Sequence, residues 1–178
     1  RDMIALAFES AKNRYQQVID QLHRDPAADV VERARAWIGL AGATRALGDP
    51  AFRQAVAHAG RLARTARSPE LLAEAASLSY WQSFFVAELP DVELIELCED
   101  AISMLADTDP MRVRLLAALA AHLTFSPNRE QRVQLIDEAN DLAAQHRDPL
   151  LTARVLHAEF TCLWEPVTLG RRERVARD

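Results

Sequence analysis

Five histidines and two cysteines are the nitrogen and sulfur side chains of this chain that could ligate zinc. A zinc site needs three or four such ligands at matched spacing. His157 and Cys162 lie five residues apart, which places them on different faces of one helix, and no HExxH or CxxC string occurs. His122 and His146 fall in two other helical segments. The sequence therefore predicts no metal centre.

The two cysteines also lack the surroundings of a catalytic nucleophile. Cys98 is followed by Glu99 and Asp100, whose negative charges disfavour a thiolate. Cys162 lies in the apolar string FTCLWEP. Both residues are expected to be reduced, buried thiols, as in cytosolic proteins.

A phosphate-binding loop is absent as well, because it requires a glycine-rich turn followed by Lys and Ser or Thr. The only lysine, Lys12, lies in a helical segment, and Gly39 and Gly42 of the string GLAG are expected at close helix–helix contacts. Neighbouring carboxylates predict solvated helix faces at Glu96, Glu99, Asp100, Asp137 and Glu138. No catalytic set is left, so the prediction is a protein that is not an enzyme and needs no cofactor.

Length, charge and hydrophobic content indicate a globular protein and argue against nucleic-acid-binding and membrane-spanning classes. The chain has 178 residues and a net charge of −5, with 49% hydrophobic residues, which suffices for one domain over residues 1–178. The acidic balance argues against direct contact with nucleic acid. No long apolar run and no leader peptide are visible, so a cytoplasmic protein is expected. Because the chain begins with Arg1, we interpret it as a fragment of a larger protein.

Helical periodicity runs through the sequence, and prolines and glycines divide it. Pairs such as Asp148-Pro149 end one helix and start the next, because Asp can cap a helix and Pro suits its first turn. Such short connections make neighbouring helices antiparallel. The predicted helices are about Met3–Leu22, Val30–Leu47, Pro50–Arg67, Pro69–Leu89, Pro90–Ala106, Pro110–Phe125, Asn128–His146, Pro149–Trp164 and a ninth after Pro166.

The proline breaks recur at intervals of 41 and 39 residues, at Pro69, Pro110 and Pro149. Aligned on them, the sequence shows four columns, one of which, at offset 9, consists of Leu78, Leu119 and Ala158. An aromatic column lies at offset 15 and an apolar column at offset 6, and small residues recur in the intervening helices: Phe84, Phe125, Trp164; Ala75, Leu116, Val155; Ala59, Ala101, Ala139. A repeat near forty residues predicts an all-α fold, an α-solenoid of about four antiparallel helix pairs. An irregular helical bundle without true repeats is the alternative.

The segment RARAWIGLAGATRALGDPAFRQAV resembles a tetratricopeptide motif. Trp37, Leu40, Ala41 and Gly48 fall at the spacing of that motif's first helix and turn, and Ala55 fits its second helix after a two-residue insertion. The later repeats are longer and lack the motif glycine, so they are tetratricopeptide-like.

The stretch from Arg112 to Pro166 is similar to the C-terminal helical arrays of large actinobacterial signalling proteins. The residues that carry the likeness are Arg112, Leu115, Leu116, Leu119, Glu138–Ala143, Asp148-Pro149, Ala153-Arg154 and Leu163-Trp164. In such proteins, a regulatory ATPase of the STAND class precedes the array, and a LuxR-type helix-turn-helix or a cyclase domain accompanies it. The resemblance implies a sensor arm of a transcriptional or signalling regulator, with those other parts outside this fragment.

The first helix of each pair lines the groove of tetratricopeptide arrays. Trp81, His122 and Thr161 share one column of the first helices, at offset 12. That column is less uniformly apolar than a core column, so these three residues are the candidate interaction site. The aromatic cluster of Trp81, Phe84 and Phe85 could equally belong to the core. The expected partner is a protein or peptide, including another domain of the same chain, or a small-molecule inducer. Two alternatives are an oligomerisation scaffold and an all-α enzyme.

Overall fold

The computed structural model describes residues 2–80 and 91–177, and within those ranges every regular element is helical. The backbone forms two compact units, Arg1–Ser79 and Tyr80–Asp178. The α-helices are α1 Asp2–Arg24, α2 Val30–Leu47, α3 Phe52–Ala66, α4 Pro69–Leu78, α5 Val92–Met104, α6 Pro110–His122, α7 Arg129–His146, α8 Pro149–Cys162 and α9 Leu169–Val175, the last preceded by a 3₁₀ turn, Pro166–Thr168. The all-α class is confirmed for these residues, and the prediction of one domain stays a prediction.

Asp-Pro and Ser-Pro pairs start three of the helices, as predicted. Ser68, Asp109 and Asp148 are N-caps whose side chains accept a backbone N–H of the first turn, and each is followed by Pro at the first helical position. These bonds satisfy N–H groups that have no partner within the helix.

Several predicted boundaries differ by two residues or more: α6 ends at His122 and not at Phe125, and the start of α3 and the end of α4 differ as well. α3 begins at Phe52 because Asp49 caps a preceding turn instead: its Oδ1 accepts from Ala51 N at 2.9 Å and its Oδ2 pairs with Lys12 at 2.6 Å. α4 ends at Leu78 and not at Leu89, since the chain leaves the helix where Tyr80 becomes buried in the second unit. Residues 81–90 lie outside the described residues, and α5 is capped by Asp91.

Sequence-adjacent helices pack as antiparallel pairs. Tyr15 of α1 lies against Gly39 of α2, each nine residues from its end of the connection. Arg112 of α6 binds Glu138 of α7 at 2.8 Å. Arg112 lies ten residues before the end of α6, and Glu138 lies nine residues after the start of α7. Beyond adjacent pairs, α2 packs against α4 in the first unit and α6 packs against α8 in the second. This pattern is compatible with a helical repeat.

Two of the four predicted columns are buried throughout, and the column at offset 9 is buried at Leu119 and Ala158 but only half-buried at Leu78. Val113, Leu116, Ala139, Leu151 and Val155 form one buried cluster across α6, α7 and α8. The offset-6 column and the column of small residues are buried throughout: Ala75, Leu116, Val155; Ala59, Ala101, Ala139. Small side chains at the latter positions allow helices to approach closely.

The aromatic column at offset 15 does not belong to the core. Phe125 is 63% exposed and Trp164 is 60% exposed, while Phe84 lies outside the described residues. Both aromatics follow the C-terminal ends of α6 and α8. They therefore mark a recurring turn at the surface.

A buried arginine, Arg132, connects the turns that follow α6 and α8. Arg132 is 2% exposed; its guanidinium donates to the carbonyls of Leu123 and Ser126 and pairs with Glu165. The pairing offsets the cost of burying the charge. Arg132 thereby links the turn after α6 directly to the turn after α8.

Candidate functional site

Two of the three candidate residues lie on neighbouring helices of the second unit. His122 and Thr161 are half-buried in the last turns of α6 and α8, which pack against each other. The Thr161 hydroxyl donates to its own helix, to the carbonyls of His157 at 3.0 Å and Ala158 at 2.9 Å. Trp81 lies outside the described residues, so its place in the site stays a prediction.

A common face of α6 and α8 carries these two residues. Both helices pack against α7 and against each other. Offsets 1, 4, 8 and 12 from each proline fall on one side of a helix with 3.6 residues per turn, and offset 15 lies in the turn that follows each helix. We define the α6–α8 face by these positions: Met111, Arg114, Ala118, His122 and Phe125, with Leu150, Ala153, His157, Thr161 and Trp164. Of the ten, only Ala118 is buried.

Large apolar side chains are exposed at both ends of this face. Leu150, on the first turn of α8, is 79% exposed, and Phe125 and Trp164 lie at the opposite end. Trp164 packs edge-on against Phe160 with ring centroids 5.9 Å apart. The guanidinium of Arg172, from α9, lies 3.7 Å from the centroid of the Trp164 ring and 4.8 Å from that of Phe160. Exposed apolar groups in such an arrangement are typical of an interaction surface.

The electrostatic character of the α6–α8 face is basic. None of its ten residues is a carboxylate, whereas Arg114 lies within it and Arg154 borders it at offset 5. The carboxylates of Asp109 and Asp148 lie at the helix N-termini, where they accept Met111 N at 2.7 Å and Leu150 N at 2.8 Å. Glu159 is buried on the opposite side of α8.

His157 sits at the centre of the α8 half of the face. Its Nδ1 hydrogen-bonds the buried Tyr80 hydroxyl, whose ring packs edge-on against the imidazole, and Arg154 lies over the same ring at 5.6 Å. Burial lowers the pKa of His157 below its ordinary value of 6.5. The neutral ring is thus favoured, and its unprotonated Nδ1 can accept the hydroxyl proton.

Ion pairs below the face attach α9 to the rest of the unit. Arg171 donates to Glu159 of α8, and to Asp137 of α7 at 2.7 Å. Asn140 of α7 also donates to Glu159, at 2.7 Å. These contacts satisfy the buried carboxylate and place α9, with Arg172, at the edge of the α6–α8 face.

Cys98 and Cys162 are buried, and burial raises the pKa of the Cys162 thiol to about 12. No group of three or more His, Cys, Asp or Glu side chains in residues 2–80 and 91–177 could hold a metal ion. Of the two glycines in GLAG, Gly39 is a close contact with Tyr15, while a Cβ at Gly42 would meet open space. The expectation of a close helix contact is therefore wrong for Gly42.

Comparison with known proteins identifies no relative: no family model, no curated protein and no solved structure matches this chain. Within the part of the chain that is described, no helix combines the length and apolar character needed to cross a bilayer.

Sequence reasoning missed Phe125, His157 and Trp164 as members of the site. The spacing gave a signal for His157, because offset 8 lies about one turn before offset 12 on the same side of α8, whereas Phe125 and Trp164 follow the helix ends. The identity of Phe125 and Trp164 obscured their exposure, since large aromatic side chains are more commonly assigned to the core.

Proposed function

We propose that this chain is a non-enzymatic protein-interaction module, a tetratricopeptide-like arm of a cytosolic transcriptional or signalling regulator, and that the α6–α8 face docks a peptide segment. The observation that carries the proposal is that α6 and α8 pack against each other and that three large apolar side chains on or just after them, Leu150, Phe125 and Trp164, are exposed. In an α-solenoid, stacked first helices form a surface of this kind. The regulator context rests on the sequence resemblance alone.

Docking would act by favouring one arrangement of the array over another. A ligand that binds one conformation more tightly shifts the population toward it, and so can change the state of an attached effector domain. That domain, an ATPase with a DNA-binding or cyclase partner, would lie outside this fragment. The docked segment would come from another protein or from another part of the same chain.

A phage-displayed peptide library selected against the immobilised chain tests this function. We expect enriched peptides to bind the wild type and to be lost in Phe125→Ala/Trp164→Ala, because those rings supply the exposed apolar area. The matched control is Val92→Ala/Met104→Ala, which removes exposed apolar groups of α5 in the same unit. Failure to enrich any peptide, or equal loss in the control, would contradict the proposal.

Self-association is a second candidate, favoured by an apolar stripe on α1. Ile4, Phe8, Tyr15 and Val18 are exposed at spacings that put them on one side of that helix. Light scattering should then give a mass above 19.9 kDa that falls on Phe8→Glu/Val18→Glu. A monomer at all concentrations would exclude the oligomerisation scaffold.

A further inference from the structure

Two adjacent arginines of α9 bind two adjacent residues of α8. Arg171 donates to the Glu159 carboxylate, and the Arg172 guanidinium lies 4.8 Å from the centroid of the Phe160 ring. The same guanidinium lies 3.7 Å from the centroid of the Trp164 ring, in the turn after α8. One arginine is thus bound by negative charge and the next by aromatic rings, and stacking on a ring requires the planar guanidinium that only arginine has.

The surface that receives the arginines is supplied by α7, α8 and the turn after α8. We define this arginine-pair site by Asp137, Asn140, Glu159, Phe160 and Trp164. Asn140 donates to the buried Glu159 carboxylate at 2.7 Å, so α7 orients that carboxylate without help from α9. A buried carboxylate also needs a cation to offset its lost hydration. The exposed Asp137 adds a second acceptor for the same cation, which Arg171 contacts at 2.7 Å.

The helix that fills this site contributes little apolar contact of its own. α9 has seven residues, none of them buried, and among the described elements it packs only against α8 and the 3₁₀ turn before it. An isolated helix of this length is unstable in water, so its docking depends on Arg171 and Arg172. The Nε of Arg172 is buried and bonds no acceptor among the described residues, which lowers the gain from docking. A competing segment could therefore take the place of α9.

We propose that the arginine-pair site docks a partner segment that carries two adjacent arginines, and that α9 fills the site when that partner is absent. The arginines of α9 define the chemistry that the site accepts, and the net charge of −5 favours a basic partner. This inference goes beyond the peptide docking proposed for the α6–α8 face, with which the site shares only Trp164. Because α9 is tethered, only chains with α9 displaced bind the partner, and the apparent affinity falls by that fraction.

Fluorescence polarisation on the full chain tests the site. The probe is a fluorescein-labelled peptide of residues 166–178, PVTLGRRERVARD. We expect it to bind Arg171→Ala/Arg172→Ala about tenfold more tightly than the wild type, because the variant no longer fills the site from within. The matched control, Arg174→Ala/Arg177→Ala, makes the same change in net charge at two exposed positions and should bind the peptide as weakly as the wild type. Equal affinity of the wild type and Arg171→Ala/Arg172→Ala would overturn the inference.

The specificity for arginine is tested on Arg171→Ala/Arg172→Ala with a second peptide, in which lysine replaces both adjacent arginines. Lysine keeps the charge but cannot stack on Trp164 as a planar group, so the affinity should fall about tenfold. Adding Asp137→Asn should weaken binding of the arginine peptide about threefold, whereas Asp141→Asn, exposed one turn further along α7, should leave it unchanged. Equal binding of both peptides, or equal losses at the two aspartates, would show unspecific attraction and overturn the inference.

Hydrogen exchange of the isotope-labelled wild type shows where the peptide binds. A saturating amount of unlabelled peptide should speed exchange of the chain's own α9 amides, because a displaced α9 loses its helix. Unchanged α9 exchange with the peptide bound would place the peptide elsewhere and overturn the inference.

Two further results keep the test decisive. Should Arg171→Ala/Arg172→Ala lose helical circular dichroism, Arg172→Ala replaces it, since this variant leaves Arg171 on Glu159; a peptide affinity no higher than that of the wild type would then overturn the inference. A wild-type dimer in light scattering that becomes a monomer on loss of the two arginines would also overturn it, in favour of α9 exchange between two copies.

Discussion

His157 is the side chain through which pH should act most directly on the α6–α8 face. Burial lowers its pKa in the folded chain, so the folded chain binds fewer protons than the unfolded chain as the pH falls below 6.5. The stabilising contribution of the neutral ring is present above that value and is lost as the pH falls through the lowered pKa. In the tautomer whose Nδ1 accepts from the Tyr80 hydroxyl, that hydrogen bond is lost in the same step, because a protonated Nδ1 cannot accept it.

Urea unfolding between about pH 7.5 and pH 5 checks this expectation. The free energy of unfolding of the wild type should fall more steeply than that of His157→Gln across this range. His23→Gln, at an exposed position of α1, should keep the wild-type slope. Parallel curves for the wild type and His157→Gln would show that the imidazole does not titrate differently in the folded chain.

Gly39 and Gly42 give opposite expectations for the same substitution. A Cβ at Gly42 meets nothing within 4 Å, so Gly42→Ala should stabilise the chain by about 1 kcal/mol through helix propensity alone. A Cβ at Gly39 would overlap the Tyr15 ring, so Gly39→Ala should lose that gain unless Tyr15 is also replaced by Ala. A double-mutant cycle followed by thermal unfolding measures the coupling, and additive effects would show that Tyr15 does not pack on Gly39.

At the scale of helices, local chemistry made the starts predictable and left several ends unpredictable. The starts of α6 and α8 were predictable from Asp109 and Asp148, because capping and proline geometry act within a few residues. The ends of α3 and α7 use Arg67 and Arg147 in the left-handed conformation, where a glycine is the usual signal. The end of α4 depends on the burial of Tyr80, a tertiary contact that no local pattern records.

The cap at Asp148 offers a direct test of the repeat boundary. Asp148→Ala removes the bond to Leu150 N, 2.8 Å long, and should cost about 1 kcal/mol of unfolding free energy. Asp148→Asn retains an acceptor oxygen and should cost less. Asp141→Ala, at an exposed interior position of α7, should not destabilise, because Ala favours the helix. Equal losses at Asp148 and Asp141 in chemical denaturation would contradict a capping role.

For the whole chain, the sequence predicted the helical class and the buried columns but not which columns face outward. The buried columns were predictable because apolar and small residues at a fixed offset share one side of a helix. The outward face was harder to predict, since it depends on which sides of α6 and α8 remain uncovered once the helices pack. Phe125 and Trp164 show this, because they are large aromatic residues of a kind common in protein cores, yet both are exposed.

Stability measurements separate the buried side of α6 and α8 from the exposed one. Leu116→Ala, in the buried cluster, should destabilise by about 3 kcal/mol, because it removes packed methyl groups and leaves a cavity. Phe125→Ala should change the unfolding free energy by less than about 0.5 kcal/mol, and Trp164→Ala by about 1 kcal/mol, the contribution of its stacking with Arg172. Urea unfolding of the three variants gives this ranking. A loss at Phe125 or Trp164 as large as that at Leu116 would place the aromatic column in the core, and the docking face proposed on α6 and α8 would then lose its apolar ends.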